Sequence, residues 1–358
     1  MRKIKIALLG LPMFLLFFTN CNNKTKEIKL SETQRVVFLD SLAASSAILK
    51  DKEDKFLEKI NKLDMSIQMG RAYSESIKRS EVLNHYKNFL RNDVVDFTKP
   101  EKALVKKCLE EAVQLCNAIN PTIVPPVMEM IKTKAEHYGE GVYYTRENRI
   151  IIPYNALTTT GKDVAAVEAD LTRTLLHEIF HIYSRYNDFK RKELYAVIGF
   201  KNIATIPLEM KDALKERILI NPDGVNLGQV IDLQTADARI SAIPVITSNE
   251  TELKEGKSSF FSYLKFDLFQ VIKGKGGIKV LSNDDGTSTL KLEEMRDFFR
   301  KIGDNTDYII HPDEILADNF MFLTLSQKDE KNIAHLTKEG KILLKSIERI
   351  LRDGSIAP

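Results

Sequence analysis

From residue 31 to about 120, apolar side chains recur at three- and four-residue steps, as in Leu57, Ile60 and Leu63, and again in Leu104, Cys108, Val113 and Cys116. That period lines one face of an α-helix, so the stretch predicts about four helices. Thr98, Pro100 and Glu101 mark one helix start, because proline suits the first turn, where its missing N–H costs nothing. Pro121 to Pro126 then interrupts the pattern, and short runs of β-forming residues predict strands over 127–131, 142–145 and 149–153. Glu147 and Asn148 would join the last two as a hairpin. A long helix is expected over 163–186, a mixed, strand-rich stretch over 194–280, and helices again over 291–302, 312–325 and 337–352. The chain shows no internal repeat.

The first twenty residues stand apart. Arg2, Lys3 and Lys5 precede an uncharged apolar run from Ile6 to Phe18, which at thirteen residues is short for a membrane span and reads as a secretory signal over 1–20. The run ends at Phe18-Thr19-Asn20-Cys21, which resembles a bacterial lipobox, although Phe18 stands in place of the usual Leu and Asn20 in place of a small residue. The resemblance implies cleavage before Cys21, a lipid on its sulfur, and an exported protein anchored to a membrane at the periplasm or cell surface. The alternative is an ordinary signal peptide followed by a chance cysteine.

Composition changes the picture in two places. The 53 Lys and Arg against 50 Asp and Glu suggest a basic protein, but the excess is Arg2, Lys3 and Lys5 of the signal. The remainder is neutral overall, which gives no electrostatic case for nucleic acid. Apart from Cys21, the cysteines are Cys108 and Cys116, whose Cα atoms on a helix would lie about 12 Å apart, beyond the roughly 7 Å reach of a disulfide. They are expected to be unpaired.

The chemistry concentrates in TLLHEIFHIYSR, residues 174–185. Positions four apart on a helix differ by about 40° and 6 Å, so His177 and His181 can reach one ion, and zinc is the ion such a pair suits. Glu178, in this HExxH arrangement, would take a proton from water made acidic beside the metal. On a helical wheel Val164, Val167, Leu171, Leu175, Ile179 and Ile182 fall on one side, and Thr174, His177, His181 and Ser184 on the other. The histidines therefore lie outside the apolar stripe.

A third ligand must come from elsewhere. Metzincins would need glycine and histidine where Ser184 and Asn187 stand, and the close thermolysin-type spacing to a glutamate lands on Lys201. IIHPDEILADNF, residues 309–320, carries Glu314 and Asp318 four apart after Pro312. This Glu-x-x-Ala-Asp pattern resembles the second motif of gluzincin peptidases. The resemblance implies Glu314 as third zinc ligand and Asp318 as the carboxylate orienting a ligating imidazole. It also implies a zincin-like α+β core over 121–358, with a small mixed sheet and an active-site helix. A helical region over 21–120 would precede it, and an insertion over about 190–290 would account for the 133 positions between His181 and Glu314.

In zincin-like folds an edge strand before the motif helix pairs with extended substrate, and residues 141–153 occupy that place. Tyr195, Tyr308 and His311 are candidates by position for stabilising an oxyanion, with His311 equally placed to cap the helix beginning at Pro312. Glu193 is the fallback ligand should Glu314 fail. His85, His137 and His335 have no partner at ligand spacing. The expectation is a lipid-anchored zinc metallopeptidase acting on peptide or protein substrates. The rival is a surface binding or assembly lipoprotein whose zinc site is structural or vestigial, and a zinc hydrolase acting on a non-peptide amide also stays open.

Overall fold

The computed structural model describes residues 27–257 and 259–353, so the signal segment and Cys21 lie outside the described residues. In chain order, β1 (Ile28–Lys29) and β2 (Arg35–Phe38) precede α1 (Ser41–Ala47), α2 (Phe56–Lys59), α3 (Lys62–Met69) and α4 (Arg79–Asp93). Next come β3 (Val94–Val95), α5 (Lys99–Ile119), β4 (Val127–Thr133), β5 (Tyr144–Arg146), β6 (Arg149–Pro153), α6 (Val164–Tyr186) and α7 (Asp188–Val197). The following stretch holds β7 (Phe200–Asn202), β8 (Leu208–Glu209), α8 (Asp212–Arg217), β9 (Gln229–Gln234), β10 (Arg239–Ser248), α9 (Phe260–Tyr263), β11 (Leu264–Lys273) and β12 (Ile278–Val280). Three helices close the chain, α10 (Arg296–Ile302), α11 (Pro312–Lys328) and α12 (Lys338–Arg352). The architecture is mixed α and β, consistent with the α+β class.

Two sheets organise the chain. The first runs β1-β2-β4-β6-β5, with β3 also pairing with β4; β2, β4 and β6 are parallel, and β5 is antiparallel to β6 at the edge. The second runs β7-β9-β10-β11-β12-β8 and is antiparallel except for β12 and β8. It accounts for the strand-rich signal over 194–280.

The helical reading of 21–120 missed three short strands. Residues 35–38 are Arg-Val-Val-Phe, and Val36 and Phe38 pack with α5 and α6 while Val37 packs on the opposite face with α1 and α4. A strand covered on both faces shows a continuous apolar run instead of alternation, and over four residues that run looks the same as a helix fragment. β6 behaves alike: Ile150 and Ile152 enter one core and Ile151 the other.

Local signals fix the helices that matter most. Thr98 and Glu101 form a reciprocal capping box at the start of α5, with Pro100 in its first turn. Asp163 caps α6 by accepting the Ala165 N–H at 3.0 Å. Leu171, Leu175, Ile179 and Ile182 bury the apolar stripe of α6, which packs against α5, whereas Val164 is exposed. The opposite, polar face of α6 is covered as well, because α11 packs along it. Cys108 and Cys116 are buried, free thiols. No helix among the described residues is long and apolar enough to cross a membrane.

β2 lies inside the first sheet and α5 lies against α6, so residues 27–120 are part of the packing that holds the motif helix. A chain beginning at Pro121 would expose Met128, Met130 and Leu175 to water and is expected to show no cooperative thermal transition by calorimetry. A truncated protein melting cooperatively near the temperature of the full chain would contradict that role.

Candidate metal centre

α6 and α11 bring the two sequence motifs together. His177 Nε2 lies 3.0 Å from Glu314 Oε2, and His181 Nε2 lies 3.2 Å from the same oxygen. These three residues form one cluster whose ligand atoms all fall within 4.8 Å of one another. With metal–ligand bonds of about 2.0–2.1 Å, tetrahedral zinc would space its ligand atoms by roughly 3.3 Å, close to what these side chains adopt.

The directions of the lone pairs matter as much as the distances. His181 Nε2 is buried without a hydrogen-bond partner although Glu314 is near, so the contact is misaligned for a hydrogen bond. An orphaned buried nitrogen is costly unless something fills the point at which it is aimed. Two imidazoles and a carboxylate converging on one point form a donor set that fits a divalent ion with a preference for nitrogen and oxygen.

Behind the cluster each ligand is anchored. His177 Nδ1 meets Asp318 Oδ1 at 2.9 Å, in the orienting position expected of Asp318, and Thr306 donates to the other Asp318 oxygen. His181 Nδ1 meets Asp313 Oδ2 at 2.8 Å. Asp313 also accepts from Ser184 and from the Tyr195 hydroxyl at 2.9 Å. Asn221 donates to Glu314 Oε1 at 2.7 Å, leaving Oε2 for the shared point. Such partners fix the tautomer and the aim of each ring.

Asp313 and Asn221 were not singled out in the sequence. Asp313 is adjacent to Glu314 and was readable only as part of an acidic first turn, because its role depends on how α11 meets Ser184 and His181. Asn221 comes from the loop between α8 and β9, which the N-terminal helices hold in place: Asp64 accepts the Ile220 N–H at 2.8 Å, and Asn61 donates to the Ile218 carbonyl at 2.7 Å. No local pattern marks such a loop.

The remaining candidates sort by position. Tyr195 is turned onto Asp313, behind His181. His311 caps α11, its Nδ1 accepting the Asp313 N–H at 3.1 Å. Tyr308 stays at the cluster, its ring centroid 6.2 Å from that of His177. Glu193 lies on α7 and pairs with Lys190 at 3.2 Å, outside the cluster. His137 sits between Asp93 and Tyr144, His85 stacks on Tyr73, and His335 packs against Phe322.

Glu178 faces a cleft of about 430 Å³ lined also by Tyr143, Arg173, His177, Tyr308 and Glu314. It is 3% exposed, and its Oε2 has no hydrogen-bond partner. Burial, reinforced by Asp223, pushes the Glu178 carboxyl up to about 8. Burial alone would lower the His177 pKa, but hydrogen bonding to Asp318 and Glu314 overrides it and raises the imidazole to about 10. Glu314 is driven the other way: burial opposes its ionisation, and the His181 charge and the His177 hydrogen bond pull it well below the usual range.

The segment before β5 forms one wall of the cleft, with Glu140, Gly141, Val142 and Tyr143 lining it. The Thr145 N–H points away from β6, donating to Asp223 at 2.8 Å. Arg185, buried on α6, donates to the Thr145 hydroxyl at 2.9 Å and the Glu147 carbonyl at 3.0 Å, and pairs with Asp54. The motif helix, the edge hairpin and the N-terminal region are thereby tied at one guanidinium.

No protein-family model matches the chain, and no curated protein or solved structure matches it either.

The shifted groups set the pH behaviour of metal-free protein. A raised pKa means that the folded state holds the proton longer, so stability is lost between about pH 6.5 and 10 for His177 and between 4.5 and about 8 for Glu178. Depressed Glu314 acts oppositely, but only below pH 4.5. In chelator, the thermal midpoint is therefore expected to fall by several degrees from pH 6 to pH 9, and a metal ion should release protons on binding. A midpoint that rises across that range would contradict the arrangement.

Proposed function

We propose that the protein is a zinc metallopeptidase of gluzincin type, exported and held to a membrane through a lipid on Cys21. The observation that carries this reading is the pair of buried, unpartnered atoms, His181 Nε2 and Glu178 Oε2, beside the His177–Glu314 contact, with Glu178, His177 and Glu314 lining an open cleft. Two imidazoles and one carboxylate with separately anchored backs suit zinc with a position left for water or substrate. Support for a zincin-like core comes from the edge hairpin, the motif helix and a second helix supplying the carboxylate. His177, His181 and Glu314 would hold the zinc ion, which would supply Lewis acidity for a substrate carbonyl and for water.

The chain's own groups do the rest. Glu178, ionised once a bound cation offsets its burial, would accept a proton from the attacking water and pass it to the leaving amine. By the alternation of a strand, the peptide group that follows Thr145 in facing away from β6 is that of Tyr143, on the cleft wall, where it can pair with extended substrate. Tyr308, which lines the cleft with its ring near His177, would donate its hydroxyl to a developing oxyanion. Asp318 and Asp313 hold the imidazole rings in the tautomer that leaves Nε2 free.

A structural zinc site has no use for a buried carboxylate beside its ligands, so Glu178 favours an enzyme over a binding or assembly lipoprotein. Glu178→Gln is expected to retain zinc at the parent stoichiometry while losing at least about 100-fold in turnover. A mixed peptide library read by mass spectrometry, with zinc measured by plasma emission, checks both. Undiminished cleavage by the variant would sink the mechanism.

A further inference from the structure

One charged group in the cleft has no role in holding the metal. Arg173 lies on α6 four residues before His177, so on a helix it sits about one turn from the metal ligand on the same face. It is half-buried and lines the cleft together with Thr174, Met321 and Tyr308. Its guanidinium carbon lies 5.8 Å from the centre of the Phe322 ring, a distance at which a cation is attracted to the ring face.

Of the acids around the cleft, Glu178 is the buried carboxylate assigned to the chemistry, and the others are already engaged with one exception at the rim. Glu314 is shared by the histidines and Asn221, and Asp318 by His177 and Thr306. Asp223 accepts from Thr145 and lies 3.6 Å from Arg185. Glu140, the exception, is exposed. Among the described residues no carboxylate pairs with Arg173, whereas Arg149, Arg185, Arg300 and Arg352 each have a carboxylate partner. A guanidinium held against an aromatic ring, and left with its donor fork unmatched, is prepared to take a carboxylate in bidentate fashion.

We infer that Arg173 recognises a carboxylate of the substrate next to the scissile bond, so that the peptidase selects acidic peptides. This rests on the metallopeptidase reading above. The carboxylate has two chemical sources, an Asp or Glu side chain or the free C-terminus. A terminal carboxylate would make the protein trim chain ends, whereas an acidic side chain would let it cut internally.

Binding tests the inference separately from turnover. Full-chain protein carrying Glu178→Gln, loaded with zinc and immobilised, is offered three peptide libraries, and retained peptides are counted by mass spectrometry. The first has Glu and Asp with both termini capped, the second has Gln and Asn in their place, and the third is the second with free C-terminal carboxylates. Retention of the first or the third over the second by about 10-fold is expected, and the favoured library names the source of the carboxylate. Adding Arg173→Met should abolish the preference without changing zinc content or retention of the neutral library, and Arg173→Lys should restore part of it. No preference, or one that survives Arg173→Met, would overturn the inference. Protein with Glu178 intact that shows the preference yet cleaves none of the peptides would leave Arg173 as a carboxylate receptor and remove the peptidase reading instead.

Discussion

The structure turns on a single carboxylate oxygen. Glu314 Oε2 is approached by both imidazoles of α6, at 3.0 and 3.2 Å, deep enough that Glu314 is only 2% exposed. Burying an ionised carboxylate among rings is unfavourable unless positive charge meets it. In metal-free protein that charge is carried by protons on the histidines, which is why burial fails to lower their pKa. A divalent ion at the same point would replace those protons and engage the His181 Nε2 that has no partner. The fold can therefore be read as the apparatus that forces α6 and α11 to present these groups to one another.

That apparatus extends well beyond the two helices. Asn221 reaches Glu314 from a loop fastened by Asp64 and Asn61, both on or beside α3. Arg185 ties α6 to the edge hairpin and to Asp54. The N-terminal helices thus act on the centre through two hydrogen-bonded connections, and β2 secures them inside the first sheet. A region whose sequence reads as helical and shows no site of its own is, in physical terms, the support behind the cluster.

What was legible in the sequence follows from what is local. The spacing of His177 and His181, the start of α5 at Thr98, Pro100 and Glu101, and the proline start of α11 each depend on a few neighbouring residues, and each is present in the structure. The pairing of Glu314 with the histidines was reached through a resemblance, since no local rule joins positions so far apart. β1, β2 and β3 were missed because strands of two to four residues, one of them buried on both faces, carry too little pattern. The helical wheel correctly removed the histidines from the apolar stripe, but it could not reveal that the polar face is buried too. His181, Ser184 and Asp313 show why: polar residues are stable inside a protein when they satisfy one another, and that matching is visible only once two helices have met.

The claim on which all of this depends is that His177, His181 and Glu314 hold one ion with a position left open. X-ray absorption spectroscopy at the zinc edge of the purified, zinc-loaded protein tests it most directly. The account requires one zinc per chain, a first shell of nitrogen and oxygen at about 2.0–2.1 Å, and outer-shell scattering from two imidazoles. Sulfur in the first shell, scattering from a single imidazole, or no stoichiometric zinc at all would contradict it.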